Sequence, residues 1–332
     1  MRAVILVGGL GTRLRPLTEA LPKPLVPIAG EPLMTRTLRR LRGQGVTEAI
    51  LAVQYLADRF RAAYGDGADL GLALRIVEEP FPLGTAGAVR FALEQDGALP
   101  GGPTLVLNGD ELTDLDAAAL LAFHQRHAPT ATIAVRPVAD PSAFGVVVSD
   151  GAGRVSAFQE KPAPGAALAN TINSGAYVLE PAAVARIPAG QFSMLERDLF
   201  PALLGDGAPV MACQHEAYSQ DIGTLPGYLA ANKAVLMGQL PGEQPLGSAL
   251  APGIWVGADV RIHPTATLVA PVMLGAGCVV GPDAYLEQVV AWERVTIGAD
   301  ATVREAALAS DSSVPPQALV AGVAVGSQRG AE

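Results

Sequence analysis

Through the first two-thirds of the chain, short apolar runs alternate with stretches in which apolar residues recur at helical spacing. Residues 3–7, 49–53, 72–77 and 104–107 read as strands, and 33–41, 57–64, 86–93 and 116–127 as helices. Such alternation predicts an α/β fold, a doubly wound and mostly parallel sheet that binds ligands beyond the carboxyl ends of its strands. After Asp140 and Pro141 the runs shorten, to 145–148, 155–159 and 172–179, which predicts an antiparallel lid or extension over the sheet. A closing helix is predicted over 225–237, then a Pro- and Gly-rich linker over 239–253.

Beyond the linker the apolar period becomes six. Val256, Ile262, Leu268, Leu274, Val280 and Leu286 keep that interval, an irregular segment surrounds Trp292, and the beat returns at Ile297 and Val303. Hexapeptide periodicity predicts a parallel β-helix, in which each coil buries its apolar residue against the next. The domains expected are therefore 1–238, a linker 239–253, and a β-helix over 254–325 that joins subunits or packs against the catalytic domain, with a homo-oligomer the expected assembly. A chain ended near Gln239 is expected to keep catalysis.

The 332 residues carry a net charge of −9, which argues against a general nucleic-acid surface. Any positive charge for a phosphate must be local. Cys213 and Cys278 are too few and too far apart for a metal site or a disulfide framework. No apolar run reaches membrane-spanning length and none at the N-terminus suits a signal peptide, so a cytoplasmic location is expected. Of the 23 basic residues only Lys23, Lys161 and Lys233 are lysines. Two of them lie in motifs, where a compact ammonium approaches phosphate oxygens differently from a planar guanidinium.

The densest chemistry follows the first strand: Gly8-Gly9-Leu10-Gly11-Thr12-Arg13-Leu14-Arg15-Pro16-Leu17-Thr18, then Pro22-Lys23-Pro24. Glycines at Gly8, Gly9 and Gly11 let backbone N–H groups approach a polyphosphate, and Arg13 and Lys23 add fixed charge. No glycine precedes a lysine, so this is not a Walker loop, and Leu14 stands where a dinucleotide fingerprint needs its third glycine. Asp110 in Leu107-Asn108-Gly109-Asp110, just beyond an apolar strand, and Asp221 in Asp221-Ile222-Gly223-Thr224 offer hard oxygen ligands of the kind a divalent cation takes, with Glu111 and Asp116 as alternative ligands.

The opening segment resembles the signature of the sugar-1-phosphate nucleotidylyltransferases, and the resemblance extends over nearly the whole chain. It implies a Rossmann-like, glycosyltransferase-A-like domain followed by a left-handed β-helix. The implied reaction is Mg²⁺-assisted transfer of a nucleotidyl group from a nucleoside triphosphate to a sugar 1-phosphate, with mannose 1-phosphate the expected acceptor. Arg13, Lys23 and Asp110 are then catalytic, Asp110 and Asp221 hold metal, and Gly8, Gly9, Gly11 and Thr12 cradle the nucleotide. Phe158-Gln159-Glu160-Lys161-Pro162 and Asn173-Ser174-Gly175 resemble the family's sugar motifs, so Glu160 and Asn173 would contact sugar hydroxyls, Lys161 the phosphate, and Gly145 would let backbone close on the sugar.

Glu79 bears on the base. In the stretch 79–87, Gly84 and Thr85 start a helix that Thr85 would cap, and the glycines would let a base lie on backbone. A carboxylate only accepts hydrogen bonds, which suits the adjacent N1–H and N2–H donors of guanine and repels the carbonyls of uracil or thymine. Glu79 thus favours GTP, although Glu78 stands beside it. Thymidylyl or uridylyl transfer to glucose 1-phosphate and guanylyl transfer to a heptose phosphate are the nearest alternatives. A non-catalytic regulatory relative, or an acyltransferase built on His263, is a more distant one. His124 and His127, three apart on a predicted helix, read as a solvated face.

Overall fold

The computed structural model describes residues 1–95 and 101–327. By their contacts they form two compact units: Met1–Gly8, Leu38–Gly109 and Leu115–Ser219 in the first, and Gly9–Thr37, Asp110–Asp114 and Gln220–Glu332 in the second. This division cuts across the sequential scheme 1–238, 239–253 and 254–325. The chain changes unit at Gly8–Gly9 and again at Gly109–Asp110, inside two of the motifs.

The first unit is built on a nine-stranded sheet. Arg2–Val7 lies between Glu48–Val53 and Thr104–Asn108, parallel to both, and Ala73–Glu78 adds a further parallel strand. Ala3, Val4 and Ile5 are fully buried and residues 49–53 almost so. Parallel strands covered on both faces carry continuous apolar runs, which is why they stand out in the sequence. The other half of the sheet is antiparallel: Thr171–Leu179 pairs with Thr104–Asn108, Ala131–Pro137 and Gly145–Ser149, and Val155–Glu160 pairs with Gly145–Ser149. The short strands after Asp140 are thus no lid; they continue the sheet edge to edge. Ala131–Pro137 and Val210–Gln214, parallel neighbours that the sequence reading passed over, complete it. Helix Gly84–Glu94 covers the sheet through Ala86, Val89, Ala92 and Leu93, within one core with Val4, Ile50 and Val106.

The second unit holds the parallel coil. Ile262 pairs with Val280, Val280 with Ile297 and Ile297 with Val314. The first step is 18 residues, three hexapeptides, and the next two are 17. The shortening explains the irregularity near Trp292: Leu274 stacks on Ala291, one residue before the position that the beat marks. Val272, Leu274, Val280, Leu286, Val289, Ile297 and Val303 fill the interior. Asp283, Asp300 and Gln317 turn successive corners in the left-handed backbone region.

The predicted linker is largely exposed but is tied down by hydrogen bonds. Arg36, fully buried, donates from Nη1 to Glu243 at 2.6 Å, from Nε to the Ile28 carbonyl at 3.1 Å and from Nη2 to that of Gln244 at 3.1 Å. The Leu246 N–H reaches the Ala29 carbonyl at 2.9 Å. Helix Leu225–Leu236 starts one residue after Thr224, whose side chain caps it by accepting the Gly227 N–H at 3.3 Å.

Candidate functional site

In the second unit the signature loop turns back on itself at Gly11, which has φ +63° and whose missing Cβ would come within 3.0 Å of Thr18. The Thr18 hydroxyl donates to the Gly11 carbonyl at 2.7 Å, and Thr12–Leu14 forms a single 3₁₀ turn. Lys23 opens a second such turn, Lys23–Leu25, and its side chain is only 5 % exposed. Its ammonium lies 2.9 Å from Asp110 Oδ2 and 2.6 Å from Asp221 Oδ1. Arg13 Nη2 is 3.5 Å from the other Asp221 oxygen, and the Gly223 N–H donates to Asp221 Oδ1 at 2.7 Å. Burial alone would raise the Asp221 pKa, but the Lys23 hydrogen bond and charge, the Gly223 N–H and Arg13 outweigh it and hold the carboxyl below its ordinary value.

Two carboxylates that already converge on one cation are a hard-oxygen set, and they fit a divalent metal. Asp110 and Asp221 would hold it. Among the described residues no cluster of three or more His, Cys, Asp or Glu side chains could do so alone, so phosphate oxygens and water would complete the shell. Asp116 is instead the N-cap of Ala117–His127, accepting the Ala119 N–H at 2.9 Å, and Glu111 begins the short strand Glu111–Thr113.

In the first unit, Glu79 follows the end of Ala73–Glu78 and is partly buried, while Glu78 pairs with Arg61 at 3.0 Å on the outside. The side-chain position of Gly8 is 3.8 Å from Glu79 Oε1 and 3.5 Å from Gln54 Oε1. Glu79 Oε2 accepts the Leu83 N–H at 3.0 Å, yet burial dominates and its pKa is raised. Thr85 is not the helix cap: the helix begins at Gly84, after Leu83, and the Thr85 hydroxyl accepts the Leu195 N–H at 2.8 Å. The room left by Gly84 and Gly87 is taken by the Gln191–Ser193 backbone, whose carbonyls lie 2.5 and 2.7 Å from the absent Cβ positions.

The sugar motifs meet within this unit. Glu160 is the register partner of Gly145, whose absent Cβ would lie 3.2 Å from the carboxylate. Lys161, exposed and at φ +43°, places Nζ 3.9 Å from Glu160, and Arg197 approaches the same oxygen at 3.7 Å. Asn173 sits where the ladder between Thr171–Leu179 and Ala131–Pro137 breaks register. Its Nδ2 donates to the Tyr177 hydroxyl at 2.7 Å and to Glu196 at 3.3 Å, and Tyr177 in turn donates to Glu196 at 2.7 Å. The break requires Gly175, at φ +63°, because a Cβ there would strike Asn108 Nδ2 at 2.4 Å. Gln54, Tyr177, Glu196 and Arg197 escaped the sequence reading. Strand-end position was the available signal for Gln54; nothing in the spacing ties 196 or 197 to Asn173.

His124 lies inside the unit rather than on a solvated face, bonded to Thr132 at 2.8 Å and Glu180 at 3.0 Å. His263 is exposed and bonds Thr265.

A mixed α/β sheet and a parallel coil make up the chain, and Lys23 and Arg13 stand beside the paired carboxylates Asp110 and Asp221. The chain belongs to the nucleotidyl transferase family, whose profile matches residues 2–238. It is 37 % identical over 302 residues to the mannose-1-phosphate guanylyltransferase of Mycobacterium tuberculosis, covering 91 % of this chain and 82 % of that protein. It is 32 % identical over 328 residues to a UTP–glucose-1-phosphate uridylyltransferase of Synechocystis, covering 90 % and 84 %. Among solved structures, HddC from Yersinia pseudotuberculosis matches with TM-score 0.60 at 30 % identity, over 70 % of this chain and 97 % of that one; a second structure of HddC is complexed with GMP-PN. The protein is thus a nucleotidyltransferase of the sugar-1-phosphate guanylyltransferase type, and members of this family generally use a divalent metal. No helix among the described residues is long and apolar enough to cross a membrane.

Proposed function

We propose that the protein transfers GMP from GTP to mannose 1-phosphate, releasing pyrophosphate. An oxygen of the acceptor phosphate attacks the α-phosphorus, a new P–O bond forms in line, and the bond to the bridging oxygen breaks with its electron pair leaving on pyrophosphate. Both reactants are anionic and the attacking oxygen is already ionised, so the protein's task is charge and position. The observation that carries the reading is the Lys23 ammonium held between Asp110 and Asp221 beside Arg13.

In this reading Gly8, Gly9, Gly11 and Thr12 receive the nucleotide, and Arg13 and Lys23 neutralise the triphosphate. Asp110 and Asp221 hold Mg²⁺, which when bound would draw charge from the phosphate oxygens. Gly84 and Thr85 shape the wall near the base by fixing the 191–195 backbone. Glu160, Asn173 and Gly145 orient the sugar, and Lys161 with Arg197 meets its phosphate. Guanine falls to Glu79 because its carboxylate, beside Gly8, accepts two adjacent donors. The reading assigns residues 1–238 to catalysis and 254–325 to assembly as a homo-oligomer, in the cytoplasm.

The Synechocystis relative supports a second reading, uridylyl transfer to glucose 1-phosphate. A panel of four nucleoside triphosphates against mannose, glucose and heptose 1-phosphates, followed by pyrophosphate release, decides. GTP with mannose 1-phosphate should give the highest kcat/KM; a higher value with UTP and glucose 1-phosphate establishes the alternative.

A further inference from the structure

The two shortened steps of the coil expel one large side chain from its interior. With Ala291 in the stack, Trp292 lies outside it, and its indole N–H donates to the Tyr228 hydroxyl at 2.9 Å. Tyr228 is fully buried, and its own O–H donates to the Pro27 carbonyl at 2.7 Å. Burial raises its pKa strongly, so it stays a neutral donor. One turn along the same helix, Asn232 accepts the Ala29 N–H at 2.7 Å and donates to the Tyr228 carbonyl at 2.8 Å. The segment so held follows directly on the Lys23–Leu25 turn, in which the Val26 N–H closes on the Lys23 carbonyl at 3.1 Å. The helix that carries Tyr228 starts just after Asp221 and Thr224. On the other flank of the signature loop, a Cβ at Gly326 in the last coil would meet Pro16 at 3.0 Å.

We infer that Trp292 is a positioning residue for the phosphate-binding residues. Through Tyr228 and the Pro27 carbonyl it fixes the backbone that carries Lys23, so the coil sets the placement of the ammonium that contacts Asp110 and Asp221. A phenol hydroxyl has one proton to donate and lone pairs to accept with, and its two partners together fix where its oxygen sits. The indole N–H fills the acceptor role and the Pro27 carbonyl takes the proton. Small displacements of a group that orients reacting phosphates lower the rate steeply, whereas a contact that only adds stability does not.

The inference rests on the transferase reading above, and two variants test it. Trp292→Phe keeps an aromatic ring and removes the N–H; Tyr228→Phe removes the hydroxyl. Assayed well below their melting temperatures, each should lower kcat about five- to thirtyfold and leave the KM for the sugar phosphate within about twofold. The double variant should be no slower than the worse single one, since both cut the same chain of hydrogen bonds. Amide exchange should quicken in residues 23–29 and stay unchanged in residues 296–308. Wild-type kcat in both single variants, additive losses in the double, or unchanged exchange at 23–29 would overturn the inference. An unmodified protein inactive with every nucleotide and sugar phosphate defeats the transferase reading instead, and the exchange measurement still decides the coupling.

Discussion

Lys23 Nζ lies 2.6 Å from Asp221 Oδ1 and 2.9 Å from Asp110 Oδ2, so one buried ammonium joins two carboxylates from distant parts of the chain. If these carboxylates hold the metal, removal of either charge without change of shape disables the reaction. Asp110→Asn and Asp221→Asn should each lower turnover by at least ~10²-fold, because metal and fixed charge supply most of this type of catalysis. Circular dichroism should show an unchanged fold. Full activity in one variant removes that residue from the mechanism, and full activity in excess chelator removes the metal.

The two motif lysines stand in contrasting environments, Lys23 buried at 5 % exposure and Lys161 open at 67 %. Lys23→Ala should lower kcat if, as proposed, its charge meets the reacting triphosphate. Lys161→Ala should raise the KM for the sugar phosphate about tenfold with a smaller change in kcat, as expected of a contact made equally in ground and transition state. Arg197→Ala should resemble Lys161→Ala. Titration of both substrates against each variant checks the split, and an equal effect on both substrates contradicts it.

What the sequence made legible follows from local rules. Continuous apolar runs marked 3–7 and 49–53 because both faces of the parallel strands are covered, and the six-residue beat marked the coil because each turn repeats the same burial. The antiparallel half of the sheet was legible only as a lid or an extension, since a short strand looks the same on an edge as above a face. Thr85 has the composition of a helix cap, yet Leu195 claims its hydroxyl. Such tertiary contacts, like Glu196 on Tyr177 or Glu243 on Arg36, have no counterpart in spacing. Trp292 registered only as a missed beat, and its cause, a coil one residue short, needed the strand register.

The Arg36–Glu243 pair revises the expectation for a chain ended near Gln239. Arg36 is 1 % exposed and Glu243 10 %, so truncation replaces the 2.6 Å pair by the more distant Glu31 carboxylate at 3.9 Å. Breaking such a pair costs about 3–5 kcal/mol. Glu243→Ala should therefore lower the melting temperature markedly, and a chain ended at Gln239 should lose cooperative unfolding and catalysis together. A truncated protein that melts cooperatively and stays active restores the independent catalytic domain; its mass by light scattering then tests whether the coil joins subunits.

Burial raises the Glu79 pKa, the Leu83 N–H opposing it only in part. An acid whose folded pKa lies above its unfolded value binds protons more readily when folded, so ionisation costs stability as pH rises from the unfolded pKa, about 4.3, through the raised folded one. Glu79→Gln, with no proton to lose, should melt higher than the unmodified protein at pH 7, and the gap should close as pH falls toward 4. Melting curves across that range check the sign. A gap that widens toward acid would mean that the carboxylate is stabilised in the fold.

The same substitution bears on the nucleobase. Glu79 stands beside Gly8, and its neighbour Glu78 is paired outward with Arg61, so Glu79 is the carboxylate available to a base on that strand end. Gln in its place sets an N–H₂ donor against the N1–H and N2–H of guanine and leaves at least one of them unpaired. An unmet buried hydrogen bond costs about 1–3 kcal/mol, or about ten- to a hundredfold in preference. The unmodified enzyme should thus prefer GTP, and Glu79→Gln should lose most of that margin and gain activity with UTP or dTTP, whose carbonyls accept the new donor. Mixed-nucleotide competition measures the ratio directly. A wild-type preference for UTP or dTTP would end the guanylyl reading and leave the nucleotidyltransferase assignment standing.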